Sequence, residues 1–143
     1  MKPDRAAIGD KVSQWMSYSG EDLRLARVGL ALRSSCPFRL VAYHAQQCAE
    51  KCLKAYLVYH ETDFPYTHSI SRLLELCAPV APWGSSLLEA EELTPFAITA
   101  RYPGEDEMVT RREARRALEI AMLVRRTVGA ALKREGFAGT KQL

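Results

Sequence analysis

The residues of this chain with the most chemical capacity fall in three short stretches. These are HAQQCAEKCLKAY over residues 44–56, the pair Thr67-His68, and Arg101-Tyr102-Pro103. His44 carries an imidazole, a group type that could take a proton from a ribose 2′-hydroxyl. Gln46 and Gln47 carry amides suited to a nucleobase edge or a phosphate, and equally suited to tying one helix to another. Arg101 offers a planar fork that can grip phosphate with two hydrogen bonds, beside the phenol of Tyr102 and a Pro-Gly break. Each residue also has a structural reading. His44 could make one interhelical hydrogen bond, and His68 could satisfy free N–H groups or the loop at a helix start. Arg101 could pair with Glu50, or with Glu105, Asp106 or Glu107 just downstream.

Other chemistries find less support. The four cysteines, at 36, 48, 52 and 77, include no CxxC pair and no histidine at metal-ligand spacing. Cys48 and Cys52 stand one helical turn apart, which suits two metal ligands, but no second pair follows them. Buried apolar thiols in a reducing cytoplasm are expected, with no metal and no cofactor. The eight glycines form neither GxGxxG nor GxxxxGK[ST], so no standard phosphate loop is present. Composition leaves a Ser-His-Asp or Cys-His arrangement open, but no strand-turn-helix elbow holds a serine. A formal charge of +3 implies no nucleic acid by itself. The last stretch is more basic: Arg111, Arg112, Arg115, Arg116, Arg125, Arg126, Lys133 and Arg134 stand against Glu113, Glu119 and Glu135. Such a face could meet RNA backbone or an acidic protein, or simply be solvated.

The elements that must position these groups read as five helices with polar connections and no convincing strand. The first runs from Lys11 to about Arg33, with Trp15, Leu23, Leu25, Ala26, Leu30 and Leu32 as its apolar face and Gly20 as a weak point. The second, Phe38 to about His60, carries the 44–56 stretch. Ala45, Cys48, Ala49, Cys52 and Tyr56 share one side of it, and Gln46, Gln47, Glu50, Lys51 and Lys54 occupy the others. Small residues on that stripe allow close helix packing, and Glu50 and Lys54 stand in the favourable i,i+4 order. Thr67 or Ser69 caps a third helix to about Cys77. A fourth is expected from Gly84 to Arg101, kinked or restarted at Pro95. Thr110-Arg111-Arg112-Glu113 has the form of a capping box and opens the fifth, whose stripe is Ala114, Ala117, Ala121, Val124, Val128 and Ala131. The expectation is one all-α domain over 1–136, an antiparallel bundle, with a frayed tail over 137–143. No apolar run approaches the roughly 20 residues of a membrane helix.

With these residues in view, the chain resembles the HEPN domain family, named for higher eukaryotes and prokaryotes nucleotide binding. The resemblance is carried by Glu21-Asp22-Leu23 with Ala26, by His44-Ala45-Gln46-Gln47 with Ala49-Glu50-Lys51 and Leu53-Lys54-Ala55, by Thr67-His68, and by Ala100-Arg101-Tyr102-Pro103. It implies a helical bundle that forms a homodimer, made beside a small nucleotidyltransferase partner, in some cases as toxin and antitoxin. Under it, the candidates for contact with nucleotide or RNA are His44, Gln47, Lys51, Lys54, His68, Arg101 and Tyr102.

Other HEPN proteins are metal-independent ribonucleases marked by an arginine, four to six residues, then a histidine on a late helix. This chain departs from that pattern, because its last histidine is His68. The spacing occurs once, as Arg39 and His44, on the second helix where the nuclease motif of the family does not lie. The leading expectation is therefore a non-catalytic, dimeric subunit of a nucleotidyltransferase pair. The alternatives are a ribonuclease using His44 as base with Arg39 or Arg101 on the phosphate, and a stand-alone nucleotide-binding module.

Overall fold

The computed structural model describes residues 4–97 and 108–139 of the chain. Arg101, Tyr102, the rest of the Ala100–Pro103 motif and the expected end of the fourth helix lie outside the described residues. The elements are helices α1 (Arg5–Leu30), α2 (Phe38–Tyr59) and α3 (Ile70–Cys77), a 3₁₀ segment (Gly84–Ala97) and helix α4 (Arg111–Arg134). There is no strand among the described residues. No described helix is long and apolar enough to cross a membrane.

α1 begins six residues before the expected Lys11 because Asp4 caps it, its carboxylate accepting from the Ala6 N–H at 3.2 Å. The added turns bring Ile8 into the core, in line with the buried Val12 and Met16. The buried face rotates with them, and Leu25 and Leu32, expected inside, are 53% and 46% exposed. Both glycines on the inner side have a packing reason. A Cβ on Gly29 would stand 2.9 Å from Val41 Cγ2, so glycine lets the end of α1 close on α2. Gly20 leaves room for the Arg125 guanidinium, which donates to the Met16 carbonyl at 2.8 Å.

α2 is the central element, packed against all four others. Its polar residues do not reach solvent as a free face: Gln46, Gln47, Glu50 and Lys54 are all buried. α1 runs antiparallel to it. α4 runs parallel to it, since Arg111 at the start of α4 lies 4.9 Å over the Phe38 ring and Glu135 at its end accepts from Tyr56 at 2.7 Å. The return through α3 and the 3₁₀ segment makes that parallel pairing possible.

α3 starts at the expected place, with both candidate caps in use. Ser69 Oγ accepts from the Arg72 N–H, and Thr67 Oγ1 accepts from the Ser69 N–H, each at 3.1 Å. Two further N–H groups of its first turn are met by the 3₁₀ segment, Ile70 by Thr94 Oγ1 and Ser71 by Glu91 Oε2. That segment replaces the expected α-helix. Leu87, Ala90 and Leu93 are its buried residues after Gly84, and Phe96 packs beside them. A spacing of three is the 3₁₀ period, and Pro95 has no N–H to give an i−4 carbonyl.

The Thr110–Glu113 capping box forms as expected. α4 ends in a Schellman turn, with Gly136 at φ +93 and the Phe137 N–H bonded to the Leu132 carbonyl at 2.9 Å. Phe137, expected in the tail, is 6% exposed and packs edge-on against Tyr59.

A polar seam along the central helix

The candidate site is built from the polar residues of α2 and what the neighbouring elements set against them. Asp22 of α1, 8% exposed, is the pivot of its first half. Its Oδ1 lies 2.8 Å from His44 Nδ1, and its Oδ2 accepts from Lys51 Nζ at 2.5 Å. A carboxylate only accepts, so His44 Nδ1 is the donor to Asp22. His44 and Lys51 each keep about a quarter of their side-chain surface open, at 24% and 22%.

The second half is centred on Glu50. Its Oε1 accepts from Gln46 Nε2 at 3.1 Å and from His68 Nδ1 at 2.7 Å, and its Oε2 accepts from Lys54 Nζ at 3.0 Å. Gln46 also donates to the His68 carbonyl at 3.2 Å, and Gln47 Nε2 donates to Gln46 Oε1 at 2.7 Å. The Lys54 ammonium is enclosed by rings, 5.7 Å from Trp15, 5.7 Å from Phe64 and 6.0 Å from Tyr66. Burial alone would raise the carboxyl pKa of Glu50. Hydrogen bonds from Gln46, His68 and Lys54, with the charge of Lys54, outweigh burial and hold it below its ordinary value.

This geometry sorts the sequence candidates. His44, Gln47, Lys51 and His68 come together along one seam, and His68 leaves 43% of its side chain open. Lys54 belongs to the same network but is spent on Glu50 and the three rings. Arg39 is not brought to His44: five residues along one helix is a turn of about 140° around the axis. Arg101 and Tyr102 fall outside the described residues. Asp22 is the member that the residue types did not single out, and its signal is an acid set among Met16, Ser19, Leu23 and Ala26 on the buried face of α1.

The remaining reactive groups have structural surroundings. Ser19 Oγ donates to the Cys48 carbonyl at 2.9 Å and lies 3.2 Å from Cys48 Sγ and 2.9 Å from Cys52 Sγ. The hydrogen bond between Cys48 and Cys52, then burial, pushes the Cys48 thiol pKa well up. Burial pushes Cys77 up to about 12. No cluster of three or more metal-ligating side chains occurs among the described residues. The basic face of α4 is interrupted, because Arg116 pairs with Glu89 and Glu92 at 2.9 and 3.1 Å while Arg125 points inward to Met16.

An all-helical chain with this seam on its central helix is matched by the HEPN domain family over residues 12–132, and the chain belongs to that family. Two solved structures are similar to it. The archaeal HEPN homologue ST0689 is 24% identical with a TM-score of 0.68, covering 85% of this chain and 97% of that one. TT1696 from Thermus thermophilus is 27% identical with a TM-score of 0.69, covering 84% of this chain and 97% of that one. No curated protein matches the chain.

Proposed function

We propose that this chain is a non-catalytic HEPN subunit that forms a homodimer, pairs with a nucleotidyltransferase and binds nucleotide or RNA along the α2 seam. The seam places His44, Gln47, Lys51 and His68 on one side, and Arg101 and Tyr102 are assigned to the same role. The observation that carries the reading is the division of labour along α2. Glu50 and Lys54 satisfy one another in the interior, while Asp22 holds His44 and Lys51 at the surface, where the Lys51 ammonium is the group for an anion. Pairing with a nucleotidyltransferase is what the family resemblance implies.

The test is a titration of the purified chain with ATP and with short single-stranded RNA, beside Lys51→Ala. Removing one charge-assisted hydrogen bond costs about 1.5–3 kcal/mol, so affinity falls by about 10- to 150-fold. Equal binding by the variant removes Lys51 from the site. Co-expression with the candidate nucleotidyltransferase tests the partner, and separate elution of the two chains rejects it.

One observation favours ribonuclease activity as a second reading. Asp22 orients His44 as a carboxylate orients a general base. What the seam lacks among the described residues is an arginine beside His44 to take up transition-state charge.

A further inference from the structure

Tyr66 is 91% exposed, yet the loop that carries it is held on both sides. Before it, Phe64 packs against the core and stands edge-on to Trp15, with 6.5 Å between ring centroids. After it, Thr67 Oγ1 accepts from the Ser69 N–H, and His68 is fixed through Nδ1 to Glu50 and through its carbonyl to Gln46. The Tyr66 ring meets the His68 ring edge-on at 5.4 Å, and the Lys54 ammonium lies 6.0 Å from its centre. One face of the phenol is thus turned to a cation and the other to solvent. Single exposed apolar residues are ordinary on a protein surface, but a ring held open beside a lysine is a platform for a flat π-system. The opposite end of the seam has a second ring. Tyr43 is only partly buried and stands edge-on to His44 at 5.1 Å. Tyr43 and Lys54 are eleven residues apart, three turns and about 20°, so they share one line along α2 about 16 Å long. Gln47 and Lys51 lie between them.

We infer that the seam takes a single strand of RNA, with one base stacked on Tyr66, a phosphate on Lys51 and a further base against Tyr43. Ring, ammonium and ring in that order along α2 match base, phosphate and base in the order of a strand. A mononucleotide such as ATP has one base and serves one of the two rings. Lys54 gives the phosphate little, because its charge is met by Glu50 at 3.0 Å. Its place behind Tyr66 instead fixes the ring, so little ordering is left to be done when a base arrives. Every base has a π-face, so the platform recognises a strand without selecting its sequence. The inference rests on the reading of the seam as a nucleotide or RNA site, and narrows that reading to a strand.

Fluorescence anisotropy of a labelled single-stranded RNA octamer, titrated with the protein at several salt concentrations, tests it. Tyr66→Ala removes an exposed ring and leaves the core intact. It is expected to weaken octamer binding by about 5- to 150-fold. The salt slope should stay at the wild-type value, because no phosphate contact is lost, whereas Lys51→Ala should lower the slope by about 0.7. Tyr66→Phe keeps the ring and should bind as the wild type does. Equal binding by wild type and Tyr66→Ala, or a Tyr66→Phe as weak as Tyr66→Ala, overturns the platform and leaves the seam as a binding site. ATP that displaces the labelled octamer at a lower concentration than unlabelled octamer does overturns the strand and leaves the nucleotide reading standing. A wild type that binds neither octamer nor ATP overturns both.

Discussion

A carboxylate withdrawn from water at position 50 is held ionised by three hydrogen-bond donors, and the ammonium it partners sits under three aromatic rings. Glu50 is the one carboxylate paired with Lys54 among the described residues, so removing it leaves a buried ammonium without a counter-charge. Glu50→Ala is expected to cost about 3–5 kcal/mol in urea unfolding at neutral pH. The pH dependence follows from the sign of the shift. The folded-state pKa of Glu50 lies below its ordinary 4.5. Its contribution is therefore complete above that value and is lost as pH falls through the folded-state pKa. Acidification below about pH 5 should destabilise the wild type more steeply than Glu50→Gln, and equal slopes would contradict the assignment. The side chains of the seam were mostly legible in the sequence, since His44, Gln47, Lys51 and His68 are all residue types that carry chemistry. Asp22 was read only as part of the Glu21-Asp22-Leu23 motif and not as a site residue, because an acid beside Glu21 reads as surface charge until α2 is placed against it.

Among the elements, the helices were legible where a 3.6-residue period and a cap agreed, as in the Thr110–Glu113 box and the Ser69 cap. Thr110→Ala should cost about 1 kcal/mol in thermal or urea unfolding, because Thr110 Oγ1 alone meets the Glu113 N–H. The fourth helix, expected from Gly84, is a 3₁₀ segment, and Leu87, Ala90, Leu93 and Phe96 recur every third residue. Tertiary demand chose the tighter coil there, since that stripe must lie against α2 and α3 while Thr94 and Glu91 reach the start of α3. The close packing of α1 on α2 at Gly29 was equally hidden, because nothing in the sequence shows that Gly29 faces Val41. Gly29→Ala gains helix propensity but drives a methyl into Val41 Cγ2. Overpacking is expected to win by about 1–3 kcal/mol, seen as a lower urea midpoint. A rise in the midpoint would mean that α1 shifts freely to make room.

At the scale of the whole molecule, α2 organises both the core and the seam, and α1 meets it twice over, through Asp22 on the polar side and through Ser19 on the thiol side. The bundle and the family were legible because helical periodicity and ordered motifs span most of the chain. The parallel course of α2 and α4 was not, because it depends on how α3 and the 3₁₀ segment turn back. The central claim is that this bundle presents a binding seam without completing a nuclease. The most direct measurement is a time course of RNA cleavage in chelator, comparing wild type with His44→Ala and Asp22→Asn purified identically. Intact RNA in all three reactions is the expected result. Cleavage by the wild type that disappears in a folded His44→Ala would contradict it and make Asp22–His44 a catalytic pair.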